Sequence, residues 1–332
     1  MMIMSRTPFR ISFFGGGTDY PEHFRREGQR GAVVGMAIDK YLYISALRLT
    51  EIQSYRYRVS YSRLEKVSDP SEIEHNVVRE CLRHYRIDEP LDINIMSDIP
   101  ASTGLGSSSA FTVALLNLLA RLRSERVTKM ELAKRAIFVE RDLLNERVGV
   151  QDQLHAAFGG INRFDFDRKN IRITPVSMTG AVQQHFVDSL MLIYSGVTRH
   201  ASATLDEQIG NTRAGKVDRQ MDALLDLVDQ SVAVMEMEDP HAMVAEFGRM
   251  MDEGWRIKRS LSSKITLPHI DELYDRAMAN GALGGKLCGA GGGGFLLMVV
   301  PPDRRAQVAE AVSPAKIIDI GLDTQGAILL YS

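Results

Sequence analysis

Cysteine and tryptophan are nearly absent from these 332 residues, which contain Cys81, Cys288 and one tryptophan, Trp255. Two thiols are too few for a disulfide scaffold or a structural zinc site, and they fit a reducing compartment, so a cytoplasmic protein is expected. An excess of either charge is missing too, with 40 basic residues against 42 acidic ones and a formal net charge of -2. A basic face for nucleic acid leaves a surplus of Lys and Arg in the total, and none shows, so no nucleic-acid partner is expected. Long apolar runs are also lacking. Phe295 to Val300, the longest, stops at Pro301-Pro302, far short of the roughly 20 residues of a membrane helix. Arg6 and Arg10 interrupt the first apolar stretch before a signal-peptide core forms, so neither a targeting segment nor a membrane is expected. There is no internal repeat, and the one low-complexity tract is a glycine cluster near the C-terminal end.

What is present is an ordinary globular composition, 45% hydrophobic and 25% charged, in a chain longer than one core usually needs. Two domains are expected, 1–180 and 181–332, with Pro175 and Gly180 in the stretch between them. Phe9, Ile11, Phe13 and Phe14 form a β-rich run that enters the turn Gly15-Gly16-Gly17. Residues 32–48, 91–96, 190–194 and 295–300 read as strands. The alternation of Tyr55, Tyr57, Val59 and Tyr61 reads as a half-exposed strand, and Phe164 to Ile173 as a hairpin. Helices are expected at 72–85, at 110–123 and from the Thr128/Glu131 capping-box pattern to about Glu146. Others start near 201, carry the periodic positions Met221 to Val228 and Val244 to Met251, or lie near 303–311. No regular βαβ repeat appears, which predicts an α+β fold.

Three glycine loops are candidate ligand sites. Thr103-Gly104-Leu105-Gly106-Ser107-Ser108-Ser109 lies directly before a helix, whose first N–H groups and partial positive charge bind anions. Glycines admit a phosphate close to the backbone, and a serine hydroxyl ligates a hard cation such as Mg2+. No Lys follows the second glycine, so this is not a Walker loop; an ordinary serine-capped helix start is the alternative. Gly289-Ala290-Gly291-Gly292-Gly293-Gly294 precedes a strand, which excludes a dinucleotide fingerprint. Its glycine content points to close approach to a ligand or to another loop. Gly15-Gly16-Gly17-Thr18-Asp19 puts a carboxylate at the mouth of a turn, where it accepts hydrogen bonds from sugar hydroxyls or only from its own backbone.

Glu140 falls inside the apolar stripe Leu132, Ala133, Ala136, Ile137, Leu143 and Leu144. A carboxylate there calls for a metal or cation, or for Arg135 or Arg141 at the stripe's edge. Asp152, in the irregular segment Gly149-Val150-Gln151-Asp152-Gln153, is placed to act on a substrate hydroxyl. The histidines show no metal spacing; for His155 and His200, nearest the candidate site, packing or solvation is the expectation.

Together these segments resemble the GHMP kinase superfamily, with three motifs in the right order over nearly the whole chain. They are Thr7-Pro8-Phe9-Arg10-Ile11 through Gly17-Thr18-Asp19-Tyr20, Ile99-Pro100 through Ser109-Ala110, and Lys286-Leu287-Cys288-Gly289 through Phe295. Within the superfamily the chain looks most like the bacterial sugar kinases that act on D-glycero-D-manno-heptose 7-phosphate. Phe14-Gly15-Gly16-Gly17-Thr18-Asp19-Tyr20-Pro21, Gly149-Val150-Gln151-Asp152-Gln153 and Leu283-Gly284-Gly285-Lys286 carry that likeness. Galactokinases have a Glu-His pair before the Thr-Asp, and Gly16 and Gly17 stand there instead, which argues against galactose.

The resemblance implies an N-terminal domain like the second domain of ribosomal protein S5, a C-terminal ferredoxin-like domain and a site between them. It implies an ATP-dependent, Mg2+-using kinase that phosphorylates the anomeric hydroxyl of the heptose phosphate. Asp152 matches the catalytic carboxylate, with Arg10 as the basic residue beside it. Thr103 to Ser109 match the phosphate-cradling loop, and Ser108 and Glu140 match the Mg2+ ligands. Thr18 and Asp19 match the sugar-binding turn, and Gly289, Gly291 and Gly292 the third loop at the substrate. A substrate phosphate needs its own cations remote from the transferred group, and Arg199 and Lys258 are the candidates. The alternatives are a kinase for fucose-type or N-acetylated sugars, or a sugar- and ATP-binding regulator that has lost catalysis. No oligomeric state follows from the sequence.

Overall fold

The computed structural model describes residues 2–50, 52–197, 202–262 and 264–331, with side chains from 207 onward in the helix that opens at Ser202. The first strand, β1 (Met2–Phe14), alternates buried and more exposed residues to Thr7 and is then almost continuously buried. The short helix α1 (Pro21–Phe24) leads to β2 (Gly31–Arg48), which runs antiparallel to β1. β3 (Tyr57–Ser60), β4 (Leu64–Val67), α2 (Asn76–His84) and β5 (Leu91–Ser97) follow, and β3–β5 is the one parallel pair among the described strands. Next come α3 (Ser107–Leu122), α4 (Lys129–Phe138), α5 (Gln151–Phe158) and the hairpin β6 (Ile161–Phe166) and β7 (Ile171–Pro175).

The second half runs α6 (Gly180–Asp188), β8 (Leu190–Tyr194), α7 (Ser202–Arg213), α8 (Asp218–Met235), α9 (Pro240–Arg259) and α10 (Pro268–Ala279). It ends with β9 (Gly284–Leu287), β10 (Phe295–Val299), α11 (Arg305–Ala311), β11 (Ile317–Ile318) and β12 (Ile328–Tyr331). One sheet has the order β12-β1-β2-β5-β3-β4, with β6 on β2 and β7 outside it; the other is β11-β8-β10-β9. The α+β class is the observed one. Because β12 pairs with β1, the expected division at 180/181 leaves a strand of the second half in the first half's sheet.

α3 is buried on nearly all sides, as its apolar sequence requires, and packs on β1 and β2. Phe13 of β1, Phe186 of α6 and Phe247 of α9 meet edge to face, with ring centroids 5.6, 5.1 and 4.9 Å apart, so one core joins both halves. A second core gathers around Trp255, Leu296 and Tyr274. No helix among the described residues is long and apolar enough to cross a membrane.

Five local expectations differ. α3 starts at Ser107, not after the serines, because Gly106 takes the left-handed conformation (φ 76°) and turns the chain into the helix three residues early. Thr128 and Glu131 do form the capping box of α4, but the helix widens into a single π turn at Val139–Leu143 and does not run to Glu146. Asp152 stands in the first turn of α5, not in an irregular segment. Residues 284–287 are strand and 180–188 helix, although glycines open both.

Phe247→Ala is expected to destabilise the protein by about 3–5 kcal/mol, the usual loss for a buried phenylalanine. Urea unfolding followed by tryptophan fluorescence reads it; an unchanged midpoint means that the aromatic cluster does not hold the halves together.

Candidate active site

β1 carries Arg10 into the molecule with 6% of its surface exposed. Its Nε and Nη2 donate to Asp152 Oδ1 and Oδ2 at 2.8 and 2.7 Å, a two-pronged pair. Nη1 donates to the Gly104 carbonyl at 2.6 Å, and the Arg10 backbone N–H to the Leu105 carbonyl at 3.1 Å. Charge compensation by Asp152 raises the Arg10 pKa although burial opposes it. Arg10 and Asp152 both border a cavity of about 590 Å3 that runs between the three glycine loops.

The loop before α3 presents Ser102, Gly104, Gly106, Ser107 and Ser108 to this cavity, at the N-terminus of the helix. Thr103 and Leu105 do not face it. Thr103 is buried, with its hydroxyl on the Pro100 carbonyl, and Leu105 is a core residue. The glycine cluster approaches this loop backbone to backbone. A Cβ at Gly289 would lie 2.7 Å from Gly104 Cα, one at Gly104 2.5 Å from the Cys288 carbonyl, and one at Gly294 2.3 Å from the Thr103 carbonyl. Gly289, Gly291 and Gly293 border the cavity; Gly292 does not, since its N–H is turned to the Ile265 carbonyl at 2.9 Å.

Glu140 is completely buried. Neither Arg135 nor Arg141 reaches it; they pair with Glu125 and Glu22. Its Oε2 instead accepts from Ser109 Oγ at 2.9 Å and Gln153 Nε2 at 2.6 Å, while Oε1 has no partner. Burial pushes its pKa up to about 7 against these bonds. The hydroxyl on Glu140 is that of Ser109, not Ser108, because Ser108 lies on the outer side of the first turn and faces the cavity. Among the described residues no cluster of three or more acidic, His or Cys side chains forms a metal cage. Neither Glu140 nor Ser109 borders the cavity, so the carboxylate stands behind the first turn of α3 while Ser107 and Ser108 do border it; carboxylate and hydroxyl oxygens of this kind are the donors a hard cation takes.

In the first loop Asp19 is 1% exposed, with Oδ1 accepting from the Gly17 N–H at 3.0 Å and Oδ2 from that of Gln151 at 3.4 Å. Burial raises its pKa. Thr18 belongs to the scaffold. Its hydroxyl donates toward the carbonyls of Gly15 and Ala32 at 2.8 and 2.9 Å, accepts from the Ala32 N–H at 3.1 Å and does not border the cavity. His155 is buried edge-on to Phe164, its pKa pushed down to about 3 by burial, which agrees with packing.

Lys258 on α9 borders the cavity, with Nζ on the carbonyls of Gly289 at 2.6 Å and Leu287 at 3.2 Å. It sits at the seam of the two glycine-rich loops. Arg199 and His200 lie outside the described residues.

Sequence reasoning missed several residues of the cavity. Tyr61, His75 and Phe111 form an aromatic wall, His75 stacked on Phe111 at 4.7 Å and edge-on to Tyr61 at 5.0 Å. They come from three elements far apart in sequence, so no local pattern announces them. Gln151 and Gln208 border the first loop, and Lys286 of β9 borders the cavity with Nζ on the Phe13 carbonyl at 3.0 Å. Lys286 stood within the third motif, where only its glycines drew attention.

Thr18→Val keeps the shape and removes the hydroxyl, leaving the Ala32 N–H unpaired. A loss of roughly 1–3 kcal/mol is expected, read by thermal unfolding; an unchanged melting temperature would free Thr18 for a ligand.

The profile of the GHMP kinases N terminal domain matches residues 74–160, and that of GHMP kinases C terminal matches 241–318. The chain is 24% identical over 326 residues to a D-glycero-alpha-D-manno-heptose 7-phosphate kinase of Campylobacter jejuni, covering 93% of each. A crystal structure of a D-glycero-D-manno-heptose 1-phosphate kinase from Bacteroides thetaiotaomicron superposes with a TM-score of 0.77 at 23% identity, over 99% of this chain and 100% of that one. Lactococcus lactis galactokinase in complex with galactose gives 0.72 at 17% identity, over 98% and 95%. At such identities the superpositions carry the fold, while the two matched domains, in order on one chain, carry the family: this chain belongs to the GHMP kinases, with their two-domain α+β fold.

Proposed function

We propose that the chain transfers the γ-phosphoryl group of ATP to the anomeric hydroxyl of D-glycero-D-manno-heptose 7-phosphate, giving the 1,7-bisphosphate. The observation that carries a kinase is the meeting of Asp152 and its Arg10 clamp with the N-terminus of α3 in one cavity. The Campylobacter jejuni relative supports the heptose acceptor. Gly16 and Gly17, which stand where galactokinases carry Glu-His, support it as well.

The free N–H groups at the start of α3 and the glycines of the phosphate loop would hold the β- and γ-phosphates. The aromatic wall of Tyr61, His75 and Phe111, on the same cavity, suits the flat adenine ring. Asp152 orients the acceptor hydroxyl. As its oxygen bonds to the γ-phosphorus and the bridge to ADP breaks, the proton passes to the Asp152 carboxylate. Arg10 fixes that carboxylate through bonds to both of its oxygens. Asp19 accepts from a sugar hydroxyl at the other wall. Glu140 and the serine hydroxyls of the α3 first turn would hold Mg2+, which supplies charge neutralisation on the nucleotide phosphates when bound.

Asp152→Asn is expected to lower kcat by roughly 10²-fold or more while nucleotide affinity stays, measured by coupled ADP release and nucleotide titration. Near-normal turnover in folded variant removes Asp152 from the reaction. Glu140→Gln keeps the shape and loses the charge, so the Mg2+ concentration for half-maximal rate should rise by at least about tenfold. An unmoved metal curve at saturating sugar assigns Glu140 to the scaffold.

A further inference from the structure

Two cations of the cavity have no role in the mechanism above. Lys258 and Lys286 are each 7% exposed, and neither has a carboxylate partner among the described residues. Lys258 Nζ spends two donors, on the carbonyls of Leu287 and Gly289, and Lys286 Nζ spends one, on that of Phe13. An ammonium group has three donors, so half of those the pair carries remain for the cavity. Arg10 beside them is already neutralised by Asp152. Asp19 is close enough to act on both lysines, but its oxygens accept from the Gly17 and Gln151 N–H groups. Buried charge that lacks a partner in the chain is compensated by a ligand or given up as a proton.

We propose that Lys258 and Lys286 form a subsite for a phosphoryl dianion at the seam between the glycine cluster and the phosphate loop. The inference rests on the kinase reading for the two sources of that dianion: the γ-phosphoryl group in transit, or the phosphate that the acceptor itself carries. Position favours the group in transit. Gly289, whose carbonyl holds Lys258, packs on Gly104, and the Gly104 carbonyl takes the third bond of Arg10. Arg10 and Asp19 are charges that act on both lysines, so the pair faces the cavity on the side of the Arg10 clamp, where negative charge spreads over the equatorial oxygens of the transferring group. Two compact point charges on neighbouring elements, α9 and β9, can each approach a different oxygen of a phosphoryl group, which one planar fork cannot. Burial lowers the pKa of both, that of Lys258 to about 8 and that of Lys286 further, the charge of Lys258 adding to the effect. A dianion reverses this.

Lys258→Met and Lys286→Met test the subsite, with Lys258→Arg and Lys286→Arg keeping the charge, all checked for folding by circular dichroism. Calorimetric titration uses ADP with Mg2+, ADP with Mg2+ and aluminium fluoride as the mimic of the group in transit, heptose 7-phosphate, and the unphosphorylated heptose. Each Met variant is expected to bind the aluminium fluoride complex roughly tenfold or more weakly, with ADP alone little changed and the Arg variants intermediate. Selective loss of heptose 7-phosphate relative to heptose supports the subsite with the acceptor as source. Folded Met variants that bind every probe like the wild type, or that lose ADP and its fluoride complex equally, overturn the proposal. Wild type that shows the lysine-dependent fluoride binding but phosphorylates no sugar leaves the subsite standing and sinks the kinase reading.

Discussion

The guanidinium of Arg10 bonds twice to Asp152 and once to the Gly104 carbonyl, so β1, α5 and the loop before α3 take their relative positions from one planar group. These partners are 142 and 94 residues away along the chain. A fork with fixed donor directions can bridge them only if all three backbones are placed correctly. A buried cation is tolerated here because a carboxylate matches its charge and a carbonyl takes a remaining donor. The same constraint explains Gly106: a Cβ there would come within 3.2 Å of Arg10 Cγ, and its left-handed φ already favours glycine. Arg10 and the start of α3 are thus built as a unit.

Around that unit the glycine cluster acts as a spacer of minimum thickness. Gly289 against Gly104, and Gly294 against the Thr103 carbonyl, leave no room for a side chain between the loops. The conformational entropy that glycine loses on folding is offset by bringing two backbones from opposite halves of the chain into contact. The Phe13–Phe186–Phe247 cluster seals the same junction from the apolar side. Together they make the cavity a property of both halves, since neither half alone contributes all of its walls.

Burial then sorts the charged groups. Glu140, Asp19, Lys258 and Lys286 all lie in surroundings that disfavour their charged forms, and the shifts run in the directions that burial requires, up for the carboxyls and down for the ammonium groups. Such a set is poised to respond to the charge of a ligand, which restores what burial takes away. Asp152, a quarter exposed and clamped by Arg10, differs from them in its contact with solvent.

Much of this was legible without coordinates, because it depends on neighbours in the chain. The β-rich run of β1, the uniformly apolar α3, the Thr128 capping box and the order of the three glycine loops follow from local sterics and hydrophobic patterning. What a side chain touches across the fold was not legible. Thr18 turned to its own scaffold, Gly293 took the cavity position expected of Gly292, and Ser109 rather than Ser108 found Glu140. The π turn at Val139–Leu143 broke the helical register that the apolar stripe implied. Tyr61, His75 and Phe111 met only because the turn after β3, the residue before α2 and the first turns of α3 come together, and Lys286 became a cavity residue only because its ammonium reaches the Phe13 carbonyl of β1. Local pattern determines which residues form a strand, a helix or a glycine turn; the partner of a buried charge is chosen by desolvation and geometry, and those exist only once distant segments have come together.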